Sequence, residues 1–209
     1  MKARSIVALT AAPLAALAVW QPLSASASSV PTCFGHRATI VGTSHSDVIH
    51  GTAHADVIVT FGGNDTIYAG GGNDLVCSGG GRDLVYAGTG ADHVSAGTGA
   101  DRVYGQRGND SVWAGDGSDA VSGGYGDDHE YGQSGDDVIT GNSGDDYLSG
   151  GDDDDQVEGG GDSDEVYGGH GDDQVDGGSG ADDCHGGQTA VCDDDQGEDE
   201  GGDDQGSDG

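Results

Sequence analysis

Positive charge is nearly missing from this chain. Only six of its 209 residues are Lys or Arg, against 39 Asp and Glu, for a formal net charge of −33. A chain this acidic cannot neutralise a phosphate backbone, so nucleic acid is excluded as a partner. Bulky apolar side chains are scarce as well, with two Phe, two Trp and one Met. Too few remain to fill a broad globular core. Long apolar runs are limited to residues 6–20, a stretch that is short and interrupted by Pro13. No membrane span is expected from it. Catalytic signatures are missing too. His129-Glu130 opens like a zinc-protease H-E-x-x-H, but position 133 is Gln133, and no G-x-S-x-G occurs. No globular block stands outside the patterned region to house an active site, so the chain is not expected to be an enzyme.

What fills the sequence instead is a repeat. Aspartate recurs at every ninth residue: Asp47, Asp56, Asp65, Asp74, Asp83, Asp92, Asp101, Asp110, Asp119, Asp128, Asp137, Asp146, Asp155, Asp164, Asp173 and Asp182. Two residues after each comes an apolar residue, from Ile49, Ile58 and Ile67 through Val76, Val85 and Val103 to Val175 and Cys184. Glu130 alone breaks that column. Glycines crowd the residues before each aspartate. A fixed short period with one acid and one apolar position per copy is the mark of a solenoid.

With the aspartate at position 6 of each copy, the apolar residue is position 8, and positions 1, 2 and 4 are mostly glycine. Glycine permits φ > 0 and lets carbonyl oxygens approach a ligand. Positions 7–9 read as a short strand with position 8 inward and positions 7 and 9 outward. Two copies then close one coil of 18 residues, and sixteen copies make eight coils. The core this predicts is thin. Burying one Val or Ile is worth roughly 1.5–3 kcal/mol, whereas ordering each residue's backbone costs about 1–2 kcal/mol. Aspartates 18 apart would also form a ladder of like charge along each edge. Calcium answers both problems, because it takes six to eight oxygen ligands and would bridge successive turns.

The pattern resembles the nonapeptide G-G-x-G-x-D-x-U-x of RTX, or hemolysin-type, calcium-binding repeats. Residues 70–76 (Gly-Gly-Gly-Asn-Asp-Leu-Val) and 168–175 (Gly-Gly-His-Gly-Asp-Asp-Gln-Val) carry it most clearly, and it spans Gly42 to about His185. The lead-in from Cys33 to Thr43 is similar to that of small secreted calcium-binding proteins of actinomycetes. The resemblance implies an all-β fold, a parallel β-roll of nonapeptide repeats over 42–185. It implies calcium held by position-1 and position-3 carbonyls and the position-6 aspartate, with groups from the next turn. The candidate metal-site residues are Asp65, Asp74, Asp83, Asp92, Asp101, Asp110, Asp119, Asp128, Asp137, Asp146, Asp155, Asp164, Asp173 and Asp182. With them go Gly70, Gly72, Gly79, Gly81, Gly88, Gly90, Gly97, Gly99, Gly168 and Gly171. Asp47 and Asp56 are set apart, because His45 and His54 stand at position 4 of their copies. Several copies depart at position 1 (Thr60, Ala69, Ser78, Ala87, Ala96, Ala114) or position 2 (Gln106, Gln133, Asn142), and Asp153 and Asp162 occupy position 4.

The ends read differently. Lys2 and Arg4, the apolar stretch and Ala25-Ser26-Ala27 form a secretory signal over 1–27, so the chain is expected outside the cell. Removing it takes the formal charge to −35. Residues 28–41 read as a lead-in in which Ile40 continues the apolar phase as a capping strand. Residues 186–209 read as a short disulfide loop and a disordered acidic tail. Four cysteines in a secreted chain suggest Cys33–Cys77 and Cys184–Cys192, although three pairings are formally open and Cys77 could be a buried thiol. Tyr68, Tyr86 and Tyr104, 18 apart, predict an outward ladder on one sheet, and Trp113 and Tyr131 on the other. Such a strip would either stabilise the sheet or bind a glycan or cell-wall polymer. His36 and His54, also 18 apart, are a lesser candidate for a transition-metal pair. Open roll ends would allow end-to-end self-association unless capped.

Overall fold

Alternation about each apolar position builds the strands. In the computed structural model, which describes residues 4–7, 30–187 and 189–191, the strand Leu84–Thr89 buries Val85 and Ala87 and turns Leu84 and Tyr86 outward. It pairs in parallel with the strand one coil before and one coil after, so that Val85 lies beside Ile67 and Val103. The offset is 18 residues for every pair of strands from Ile40–Val41 to Asp183–His185. Consecutive copies therefore alternate between two sheets, one of ten strands and one of nine, both parallel. No helix occurs among the described residues. The apolar column from Ile40 to Val175 fills the space between the sheets. This is the all-β parallel solenoid that the nine-residue period predicts.

Two details differ from the expectation. The strands are longer than positions 7–9. From Thr66–Gly71 to Gln174–Ser179 each runs for six residues and takes in positions 1–3 of the next copy. Those positions also find backbone partners 18 residues away, as Gly88 does with Gly70 and Gln106. The core is also wider than one residue per copy. Position 1 faces inward, and Ala69, Ala87, Ala96 and Ala114 are buried there. Thr60 and Ser78 occupy the same place and donate their hydroxyls to the carbonyls of Ser78 and Ala96, one coil on. What looked like lapses from a glycine motif are a second interior column.

Ile40–Val41 pairs with Val57–Val59 and caps the nine-stranded sheet. Before it, Thr32–Cys33 and His36–Arg37 form a small antiparallel hairpin. Cys33 is bonded to Cys77, with Cα atoms 5.7 Å apart, which ties the hairpin to the roll. Phe34, at the hairpin's turn, lays its ring against His93 and Trp113. His36 sits in this hairpin rather than on a coil, so it has no place in the stack with His54. At the other end, Thr189–Val191 adds a last strand beside Gln174–Ser179. Cys184 is disulfide-bonded; its expected partner Cys192 lies outside the described residues, as does most of the expected tail. Arg4–Val7 pairs with Asp47–His50, and the rest of the expected signal lies outside the described residues. No described helix is long and apolar enough to cross a membrane.

Candidate metal centre

The turn between strands is three residues long, positions 4 to 6, and this brevity draws the aspartate in. The aspartates expected in a ladder along each edge, from Asp47 to Asp173, are buried, none more than 7% exposed. The cause is a hydrogen bond. From Asp65 to Asp182, Oδ1 accepts the backbone N–H of the aspartate 18 residues earlier, as Asp83 N donates to Asp101 Oδ1 at 2.8 Å and Asp101 N to Asp119 Oδ1 at 2.7 Å. Each carboxylate thus ties its own coil to the preceding one. The second oxygen has no such use. Oδ2 of all fourteen aspartates from Asp65 to Asp182 is buried without a hydrogen-bond partner. These are the fourteen candidates of the sequence, brought into two rows.

Buried carboxylates without cations resist ionisation. Burial pushes Asp74, Asp128, Asp137 and Asp146 up to about 7, against the lowering effect of the backbone hydrogen bond and with further upward push from neighbouring aspartates. Asp101, Asp110, Asp155 and Asp164 are pushed up to about 6 by the same causes. A divalent cation reverses this balance by supplying the missing opposite charge.

The oxygens that would surround it converge at position 1. A β-carbon added to Gly132 would lie 2.3 Å from Asp137 Oδ2 and 2.5 Å from the Gly150 carbonyl oxygen. At Gly150 the same point is 2.3 Å from Asp155 Oδ2 and 2.4 Å from Gly168 O. Glycine keeps this notch open, and the two oxygens facing it come from adjacent coils. Position-3 carbonyls also lie between coils and accept one N–H each, as Thr89 O does from Gly72, leaving a second lone pair. The candidate glycines at positions 2 and 4 have a different task. Gly88 and Gly90 have φ of 118° and 131°, and a β-carbon on either would strike the carbonyl of the coil before at 2.1 Å. They allow the coils to close. Of the candidate glycines only Gly168 stands at position 1. No three His, Cys, Asp or Glu side chains converge among the described residues, so carbonyls must complete any coordination shell. An all-oxygen set of carboxylates and carbonyls suits calcium and suits softer metals poorly.

Asp47 and Asp56 are arranged differently. Thr43, at position 2, donates its N–H and its Oγ1 to Asp47 Oδ2 at 2.6 and 2.9 Å. Thr52 does the same for Asp56 at 2.7 and 2.8 Å. The hydroxyls occupy the oxygen that is orphaned elsewhere. Threonine at position 2 was the readable signal, more telling than the histidines at position 4. Glu130, fully buried, has both carboxylate oxygens without a partner. Burial first, then Asp128 and Asp146, push its carboxyl well above the usual range.

On the outer faces the aromatic ladders form. His50, Tyr68, Tyr86 and Tyr104 stack with centroids 5.0–5.1 Å apart. Trp113 and Tyr131 stack at 5.8 Å on the other sheet. Rings so arranged cover one another's faces. The first ladder stops at Tyr104, because Ser122 follows it in register. A concavity of about 500 Å³ opens there, lined by Tyr104, Arg107, Ser122 and Tyr125 among others.

Among known families, the chain matches the RTX calcium-binding nonapeptide repeat (4 copies), at residues 41–76, 78–112, 95–130, 122–157, 131–166 and 158–188. A comparison with curated proteins found no match.

Proposed function

From the premise that the chain belongs to the RTX calcium-binding nonapeptide repeat family, we propose that it is a secreted, non-catalytic protein whose roll folds as calcium binds between its stacked turns. The ligands in this reading are the aspartates from Asp65 to Asp182, with position-1 and position-3 carbonyls of adjacent coils. The observation that carries it is the row of fourteen buried Oδ2 atoms without partners. Leaving an ionised carboxylate half-satisfied in the interior is costly, and here the cost recurs every nine residues. Calcium supplies the missing partner to two coils at once. Asp47 and Asp56, closed by threonine, lie outside the set. The signal over 1–27, the lead-in over 28–41 and the tail over 186–209 complete the proposed organisation. Extracellular modules of this kind work at about 10⁻⁴–10⁻³ M calcium. The chain would stay unfolded where calcium is low and fold after export. Far-UV circular dichroism against free calcium, with magnesium as control, tests the reading. A chain fully β-structured in chelator and indifferent to calcium would overturn it.

A second reading, binding of a glycan or cell-wall polymer, is favoured by one feature. At the end of the first ladder Tyr104, with Arg107 and Tyr125 beside it, lines the concavity and offers a ring to a sugar. A pull-down with cell-wall glycans, comparing the wild type with Tyr104→Ala, tests that reading.

A further inference from the structure

Glu130 stands at position 8, where every other copy from Ile49 to Val175 has an aliphatic residue. Its sheet neighbours are Val112 and Leu148. It is fully buried, and neither oxygen has a hydrogen-bond partner. A glutamate among aliphatics without a partner is a large penalty for a fold with so little core. The direction of the side chain accounts for it. A β-carbon added to Gly123 would lie 2.4 Å from Glu130 Oε1 and 2.4 Å from Asp128 Oδ2. The two oxygens are therefore no more than twice that distance, 4.8 Å, apart, close enough for one ion to bond both at about 2.3–2.6 Å. At Gly105 and Gly132 the corresponding place beside the aspartate oxygen is taken by a carbonyl of the next coil. At Gly123 the glutamate takes the carbonyl's place. Glycine at position 1 leaves the room that alanine fills in earlier coils. The charges facing Glu130 are Asp128, Asp146, Asp110 and Asp164, the row on its own edge of the roll.

We propose that Glu130 is itself a calcium ligand, reaching across the roll interior to give the turn at Asp128 a second carboxylate and make it the tightest cation site of the chain. The proposal rests on the calcium reading of the roll. A carboxylate in place of a carbonyl raises the negative charge of the ligand set, and ligand charge is what tunes calcium affinity. The site would be the last to empty as calcium is withdrawn.

The test uses the calcium-loaded full chain. Wild type, Glu130→Val and Glu130→Gln are dialysed against graded chelator, and bound calcium is counted by native mass spectrometry. Circular dichroism at saturating calcium checks that each is folded. Valine restores the aliphatic column; glutamine keeps the shape and removes the charge. The expected result is that wild type holds one last ion to a free calcium about tenfold lower than Glu130→Val does, with Glu130→Gln between them. If all three release calcium over one range, Glu130 is a packing defect and the proposal is overturned while the calcium reading stands. If the wild type takes up no calcium at all, the calcium reading falls and the proposal with it.

Discussion

Removing Asp101 and Asp119 together should shift the calcium dependence of folding far more than removing Asp47. The two central carboxylates sit in one row. Asp119 Oδ1 accepts the N–H of Asp101, and Asp101 Oδ1 accepts that of Asp83. Substituting alanine at both leaves two buried N–H groups without acceptors. Hydrogen bonds to charged groups are worth about 1.5–3 kcal/mol each, so the pair amounts to about 3–6 kcal/mol. The two bonds are distinct, because the N–H at position 101 belongs to the backbone and survives Asp101→Ala, so each loss is counted once. If about four ions are coupled to the folding transition, and a tenfold change in binding is about 1.4 kcal/mol, the calcium midpoint should rise about 3- to 12-fold. Losing the metal ligands themselves adds to this. Asp47, in contrast, closes on Thr43 at the roll's first coil. Its partners there are partly exposed, so its loss should cost about 1 kcal/mol and move the midpoint less than twofold. Far-UV circular dichroism against buffered free calcium gives both midpoints. A double variant that folds at the wild-type midpoint, or an Asp47→Ala variant that shifts more than the double, would refute the reasoning.

Acid should stabilise the calcium-free roll. Folded-state values of about 7 for Asp74, Asp128, Asp137 and Asp146 stand above the unfolded value of about 3.9, so the folded state binds more protons between about pH 4 and 7. That stability is full below the unfolded value and is lost as pH rises through the folded one; in chelator, more β-structure should be seen at pH 4.5 than at pH 8, and the opposite order would sink the argument. Protons and calcium compete for the same oxygens, so the calcium midpoint should rise as pH falls below 7. Reducing Cys33–Cys77, which spans 44 residues, should cost about 4 kcal/mol by loop entropy, seen as a lower melting temperature in saturating calcium. A non-reducing peptide map should link Cys184 to Cys192; a link from Cys33 to Cys192 would contradict the linear roll. At limiting calcium, limited proteolysis should cut beyond residue 123 before it cuts within 42–114, and cleavage in the reverse order would contradict the assembly order argued below.

Much of this was legible in the sequence because the physics is periodic. A nine-residue phase determines which residues face inward, and an 18-residue offset determines which residues touch. The apolar column and the tyrosine stack follow from that arithmetic; the Cys33–Cys77 bond does not, because Cys33 lies in the hairpin before the repeats and 44 residues from Cys77. The strand length did not, because glycine at positions 1 and 2 carries no side-chain signal of its place in a ladder, and the mixed residues at position 3 show no alternation. The inward direction of position 1 was hidden for the same reason, and Ala69 and Ala87 looked like errors in a motif. Burial of the aspartates was missed because it depends on a backbone N–H one coil away, which no local pattern records. Glu130 was visible as a break in the column, but only the notch at Gly123 says what the break faces.

The roll is not uniform along its length, and its asymmetry bears on how it assembles. The early coils bring their own interior. Alanine, threonine and serine fill position 1 from Thr60 to Ala96, threonines close Asp47 and Asp56, and a disulfide clamps the first coils. The later coils have glycine at every position 1 from Gly123 on, so their interior lacks the second column. They also hold most of the non-glycine residues with positive φ, among them Gln133, Asn142, Asp153 and Asp162. A left-handed backbone costs such residues roughly 1–2 kcal/mol each, less for Asn and Asp. Burial therefore contributes less in the later coils while strain costs more, and the difference must come from cations and from the coil beneath. A solenoid propagates from whichever repeats are stable alone. The first coils meet that condition with the least help, so folding should start near Ile49 and Cys77 and advance toward Asp182 as calcium fills each new turn. A site of raised affinity at Asp128 and Glu130 would stand at the boundary, where the apolar interior gives out and the metal takes over.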